Sequence, residues 1–149
     1  RKDHRMKRIS PQEAKALIDD GWLYLDVRTE PEFEQVHAAG SYNVPLLHAG
    51  EQGMVPNPRF REEVLAAVPR DAKVIIGCQS GGRSARAAEL LADGVFAEIA
   101  DQRAGGGGAR DAFGRVTEPG WVALNLPVGS GRPAGRCYAD LAKAGGGNG

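Results

Sequence analysis

The sequence predicts an α/β fold, a central and mainly parallel sheet with helices on both faces. Three observations carry this. Short apolar runs alternate with amphipathic segments of about ten residues, the pattern of strands joined by crossover helices. The clearest apolar run leads through a cysteine and a Gly-Gly turn straight into a helix. The chain has 149 residues, enough for one ordinary core.

The elements follow in order. Ser10-Pro11-Gln12-Glu13 opens a helix with Ser10 as N-cap and Pro11 in the first position. Ala14, Leu17 and Ile18 give it one apolar side, and Gly21 stops it. Trp22–Val27 is a nearly continuous apolar run, as a strand covered on both faces should be. Thr29 caps a short acidic helix from Glu30 to about Val36. Tyr42–Leu46 is extended, since the residue before Pro45 avoids the helical region. Asn57–Val68 has helical spacing and ends at Pro69. Lys73–Gly77 is a strand, Ser84–Ala92 a helix closed by Asp93-Gly94, and Val95–Ala100 another strand.

Composition narrows the classes. Nineteen basic residues balance 19 acidic ones, which argues against nucleic acid or an anionic membrane as partner. No apolar run approaches the ~18–20 residues of a membrane span. Two cysteines, Cys78 and Cys137, are too few for a disulfide scaffold. With no signal peptide at the start, a cytoplasmic location is the expectation. Thirteen of the 21 glycines lie between residues 103 and 149. Residues 1–6 read as a basic N-terminal extension, an upstream remnant or foreign sequence. Residues 7–130 read as the folded domain and 131–149 as a poorly held, Gly-rich tail.

In open parallel sheets the working site lies beyond the carboxyl ends of the strands. Asp26-Val27-Arg28 and Gly77–Arg83 both fall there. In Cys78-Gln79-Ser80-Gly81-Gly82-Arg83-Ser84 the glycines allow backbone N–H groups to turn inward as an anion-binding nest. The following helix adds its positive N-terminal end. A thiol in that field should favour its nucleophilic thiolate form. Arg83 can fold back over the rim and hold an anionic substrate by two parallel hydrogen bonds. The plainer reading makes Cys78 a small buried hydrophobe, but that does not call for Gly-Gly and Arg directly after it.

The loop Cys78–Ser84 resembles the active-site loop of single-domain rhodaneses, a sulfurtransferase family. Leu25-Asp26-Val27-Arg28 followed by Glu30-Pro31-Glu32-Phe33 resembles that family's first motif. Gly40-Ser41-Tyr42-Asn43-Val44-Pro45 is similar to its Gly-Ala-x-Asn-Ile-Pro stretch, and Asn125-Leu126-Pro127-Val128 to its closing Gly-Leu-Pro-Val. The match runs from about residue 7 to 128. Ala109–Glu118 looks inserted, with Trp121 in the place of the late tryptophan. Arg103, Arg110 and Arg115 either project over the pocket or are simply solvated.

The resemblance implies sulfur transfer in two steps through a Cys78 persulfide. The donor is a small anion such as thiosulfate. The acceptor is cyanide or a thiol, including a thioredoxin-like or carrier protein. No cofactor or metal is implied, and no His/Cys spacing suggests one. Cys78 and Arg83 are the catalytic candidates, with Gln79, Ser80, Gly81, Gly82 and Ser84 as the substrate-binding loop. Asp26 and Arg28 are supporting residues, expected as a buried ion pair. Glu34 is read as a structural acid, His37 and His48 as mouth or surface groups, and Trp121 as core. Cys137 is read as dispensable, with a resolving role as its alternative. Two rival functions stand beside this one. One is a catalytically silent docking module. The other is a phosphatase or arsenate reductase, whose loops place five residues between cysteine and arginine where this chain has four, and typically a histidine where this chain has Gly77.

Overall fold

The computed structural model describes residues 7–79, 81–92 and 95–146. Its centre is a five-stranded sheet in the order β1–β8–β7–β2–β4, with every pairing parallel. The strands are β1 (Lys7–Ile9), β2 (Leu23–Asp26), β4 (Tyr42–Asn43), β7 (Lys73–Gly77) and β8 (Glu98–Gln102). Helices α1 (Pro11–Asp19), α2 (Glu30–Gln35), α3 (Phe60–Ala67) and α4 (Gly82–Leu90) connect them. The predicted architecture is present.

Alternation along the strands divides the core into two. Leu25, Val27, Val74 and Ile76 pack with Phe60 and Val64 of α3 and with Ala87, Ala88 and Leu91 of the α4 region. Tyr24, Ile75, Ile9 and Ala100 face the other way, onto Ala14 of α1 and Trp121. Successive side chains of a strand point to opposite faces, so each central strand serves both layers. A fully buried Ile or Leu contributes roughly 1.5–3 kcal/mol, and Leu25, Ile75 and Ile76 are each wholly buried.

The helix caps match the sequence reading. Ser10 Oγ accepts the Glu13 N–H at 3.0 Å while Glu13 Oε1 accepts the Ser10 N–H at 2.8 Å. Thr29 and Glu32 form the same reciprocal pair at the start of α2. Boundaries move elsewhere. Helix α3 begins at Phe60 because Asn57 is spent on a turn, its Oδ1 accepting the Arg59 N–H at 3.0 Å and its Nδ2 donating to the Pro45 carbonyl at 2.9 Å. Helix α4 begins at Gly82, two residues before the predicted start. The last sheet strand is Glu98–Gln102 rather than Val95–Ala100. The predicted stop at Asp93-Gly94 lies outside the described residues.

Several elements were not foreseen. Strand β1 adds an edge to the sheet. Leu47–Gly50 and Gly53–Pro56 form an antiparallel hairpin, β5–β6. The inserted stretch contributes a second hairpin, β9 (Ala109–Arg110) with β10 (Val116–Glu118). Strand β3 (His37–Ala38) pairs with β11 (Val128–Gly129).

The tail also differs from expectation. Gly131 N–H donates to the Glu34 carbonyl at 2.7 Å, and the Arg136 carbonyl accepts the Asn43 N–H at 2.9 Å, closing the open side of edge strand β4. Helix α5 (Tyr138–Gly146) then lies along α3. Tyr138 and Leu141 pack on the first core, and the Tyr138 hydroxyl donates to Glu63 Oε2 at 2.8 Å. Glycine count hid an apolar pair at helical spacing. Deleting residues 138–149 is therefore expected to cost about 2 kcal/mol, the worth of two half-buried side chains, and to lower Tm by several degrees. An unchanged Tm would restore the passive-tail reading.

Candidate functional site

The site begins at the carboxyl end of β7. At Gly77 a Cβ would lie 1.9 Å from the Tyr24 hydroxyl, so only glycine fits before the cysteine. Cys78 is 3% exposed. Its Sγ accepts the Gly81 N–H at 3.1 Å and the Ser84 N–H at 3.2 Å. Gly81 takes a left-handed φ of 98°, and a Cβ there would strike the Arg103 carbonyl oxygen at 2.2 Å. Gly82 is the first residue of α4, so the sulfur sits at the start of that helix. Ser80 lies outside the described residues.

A buried acid that sequence reading missed fixes this geometry. The Ser84 hydroxyl hydrogen-bonds the carboxylate of Asp101 at the end of β8 and lies 3.2 Å from the Gly81 carbonyl. Asp101 is 1% exposed and is paired on its other oxygen with Arg8 Nε at 2.6 Å. Arg8 Nη2 donates to the Gly81 carbonyl at 3.2 Å. The only signal in the sequence was an acid directly after the run read as the strand Val95–Ala100.

The glycine run supports the loop from the other side. Gly106 N–H donates to the Cys78 carbonyl and Gly107 N–H to the Gln79 carbonyl, each at 2.8 Å. Gly105 has φ of 63°, and a Cβ on it would lie 2.4 Å from the Cys78 oxygen. Gln102, wholly buried, holds the run in place. Its Oε1 accepts the N–H groups of Ala104 and Gly105, and its Nε2 donates to the Gly105 carbonyl.

Asp26 and Arg28 form the expected buried pair. Arg28 Nη2 reaches Asp26 Oδ2 at 2.8 Å, and Nε contacts both carboxylate oxygens. Arg83 departs from its expected place. Instead of folding over the pocket, it makes a two-pronged pair with Glu32 on α2, at 2.7 and 2.9 Å. The acid four positions after Arg28 offers a planar acceptor that matches the guanidinium fork.

The remaining candidates separate cleanly. Glu34 is structural, paired with Arg132 at 2.8 Å. His37 is buried, stacked on Phe33 with its Nδ1 on the Phe33 carbonyl. His48 lies beside the Tyr138 ring. Arg103 pairs with Glu118, Arg115 with Asp111, and Arg110 bonds the Gly114 carbonyl. The inserted arginines thus serve their own loops. Cys78 and Cys137 are both buried free thiols. Trp121 is buried, its indole N–H donating to the Pro127 carbonyl at 2.7 Å. It also lines a cavity of about 390 Å³ bordered by Cys78 and Gln79. Among the described residues no cluster of three or more His, Cys, Asp or Glu side chains could hold a metal, and no helix is long and apolar enough to cross a membrane.

This combination, a cysteine loop on a five-stranded parallel sheet feeding a helix, defines a class, and comparison with known proteins identifies it. The family model described as "Rhodanese-like domain" matches residues 10–105. The chain belongs to the rhodanese-like domain family. It is 43% identical to thiosulfate sulfurtransferase 16, chloroplastic, of Arabidopsis thaliana, over 62% of this chain and 78% of that protein. It is 35% identical to protein HIGH ARSENIC CONTENT 1, mitochondrial, of the same plant, over 63% of this chain but only 54% of that protein. Among solved structures, Rv0390 from M. tuberculosis superposes with a TM-score of 0.70 at 28% identity, over 84% of this chain and 98% of that one. The cytoplasmic expectation is corrected here. The relatives at 43% and 35% identity are named as chloroplastic and mitochondrial proteins, which overturns it.

The Glu32–Arg83 pair has a pH signature. Burial works against the charged carboxylate, but hydrogen bonds from Arg83 and Thr29 and the charge of Arg83 outweigh it, and the pKa falls from 4.5 to about 2. A depressed folded pKa gives stability that is present above the unfolded value and lost as pH falls through the folded one. Wild type should therefore lose more stability than Glu32→Gln between pH 4.5 and about 2, measured by denaturant unfolding across that range. Parallel losses in the two proteins would contradict the pairing.

Proposed function

We propose that this domain transfers a sulfane sulfur from a small anionic donor such as thiosulfate to a thiophilic acceptor, through a persulfide on Cys78. The observation that carries the reading is the pair of backbone N–H groups, from Gly81 and Ser84, directed at Sγ. Fixed amide dipoles stabilise negative charge on sulfur without reorganising during the reaction. The same cradle suits both a thiolate and a persulfide, which are anions of similar shape.

In the first step the Cys78 thiolate attacks the outer sulfur of thiosulfate. A new S–S bond forms, the old one breaks, and sulfite leaves with the electron pair. In the second, an acceptor thiolate or cyanide attacks the terminal sulfur and the Cys78 thiolate departs. Dividing one transfer into two displacements is nucleophilic catalysis. Arg83, held by Glu32, stands at the loop rim as a positioning residue, and Ser84 with Asp101 keeps the cradle aligned. Relatives named thiosulfate sulfurtransferase, at 43%, 40% and 28% identity, support the donor class. A low-molecular-weight thiol, cyanide or a thioredoxin-like carrier protein would serve as acceptor. The loop holds four residues between Cys78 and Arg83, a narrow rim for the three equatorial oxygens of a phosphoryl group.

The test is intact mass after incubation with thiosulfate, with an aryl phosphate assayed in parallel. Wild type should gain one sulfur atom, Cys78→Ser none, and phosphate release should be negligible. A sulfur gain that survives in Cys78→Ser, or phosphate release faster than thiosulfate consumption, would overturn the proposal. A folded, reduced protein that does neither would establish the docking-module reading instead.

A further inference from the structure

The cavity beside the catalytic loop has features that sulfur transfer at Cys78 does not use. Its wall is apolar, made by Tyr24, Val36, Ala38, Trp121, Val122 and Ala123. Tyr24, Ala38 and Trp121 belong to the core layer on the α1 side of the sheet, whereas Cys78 belongs to the layer of α3 and α4. The cavity thus extends along the α1 face of the sheet from an inner end bordered by Cys78, Gln79, Gly106 and Gly107. At about 390 Å³ it falls within the size range of small-molecule sites.

Of the polar side chains that line it, Asp26, Arg28, His37 and Gln79, the arginine is unusual. Arg28 is 5% exposed. Its backbone N–H, Nε and Nη2 are committed to Asp26, and Nη2 also donates to the Val36 carbonyl at 2.6 Å. Its Nη1 has, among the described residues, a single long contact, with Gln79 Oε1 at 3.5 Å. Buried donors are ordinarily satisfied. A Cβ on Gly106 would lie 3.8 Å from this Nη1. Gly106 and Gln79 both line the cavity, so the under-used edge of the guanidinium lies among the lining groups. Asp26 does not compete for the same role, because both of its oxygens already accept from Arg28.

We infer that this cavity, beside the sulfur cradle and bordered by Cys78, is a second binding site for a small organic acid with a flat aromatic or branched aliphatic body. The carboxylate accepts from Arg28 Nη1, displacing the long Gln79 contact, and the body lies against Trp121 and Tyr24. Apolar wall residues beside a few convergent polar side chains are the usual composition of such a site. A neutral amide analogue can still accept from Nη1 through its carbonyl oxygen but lacks the charge that strengthens the bond.

The experiment uses the full chain carrying Cys78→Ser, so that its outcome does not depend on sulfur transfer. Phenylacetate is titrated while tryptophan fluorescence and ligand-observed NMR are followed, with phenylacetamide and thiosulfate as parallel arms. Expected are saturable phenylacetate binding, at least tenfold weaker binding of the amide, and no displacement by thiosulfate. Val36→Trp and Val122→Trp, which fill the cavity from two sides, should each weaken binding at least tenfold. Two variants are used so that one failing to fold leaves the other informative. Absence of saturation by roughly 10 mM, equal binding of acid and amide, displacement by thiosulfate, or unchanged binding in the folded variants would overturn the inference.

Discussion

Two backbone hydrogen bonds, from Gly106 to the Cys78 carbonyl and from Gly107 to the Gln79 carbonyl, govern the geometry of this site. Tying down the Cys78 and Gln79 carbonyls fixes the path on which the loop leaves β7, and that path brings the Gly81 and Ser84 N–H groups to the sulfur. The contact demands that two chain segments meet at backbone distance. Glycine alone allows this, because a side chain at Gly105 would collide with the Cys78 and Gln79 backbone. The conformational entropy lost in ordering such a run is offset by Gln102, which is wholly buried and hydrogen-bonds three backbone groups within it.

Three arginine–carboxylate pairs surround the cradle, and each neutralises its own charge. Arg8 meets Asp101, Arg28 meets Asp26, and Arg83 meets Glu32. Each of these guanidinium groups spends most of its donors on its own carboxylate, and the groups that reach the Cys78 sulfur are the neutral N–H groups of Gly81 and Ser84. Pairs of this kind are weak evidence of stability, since desolvation costs about as much as attraction gains. Their value here is positional. Asp101 holds Ser84, Glu32 holds Arg83, and Asp26 holds Arg28 with Nη1 making only a long contact to Gln79.

Much of this was legible in the sequence. The capping pairs of Ser10 with Glu13 and Thr29 with Glu32, the strand Lys73–Gly77 and the loop that follows it are local signals, written in adjacent residues. The Asp26–Arg28 pair was legible for the same reason. What could not be read depends on residues distant along the chain. Arg83 was expected over the pocket because its partner Glu32 lies 51 positions away. Asp101 falls one position beyond the strand read as Val95–Ala100, and nothing local marks it as the partner of Ser84 and Arg8. The glycine run read as looseness, although its purpose is close contact with the loop. The tail read as passive because Tyr138 and Leu141, which face α3, were outnumbered by glycine.

The claim that the glycine run sets the cradle can be tested without any assay of activity. The backbone amide resonances of Gly81 and Ser84 are recorded in wild type and in Gly105→Ala, with the fold checked by the dispersion of the remaining spectrum. The account predicts that both amides shift although they lie more than twenty residues from the substitution, because a methyl at position 105 displaces the Cys78 and Gln79 carbonyls. Shifts confined to residues next to position 105, with Gly81 and Ser84 unmoved, would contradict it.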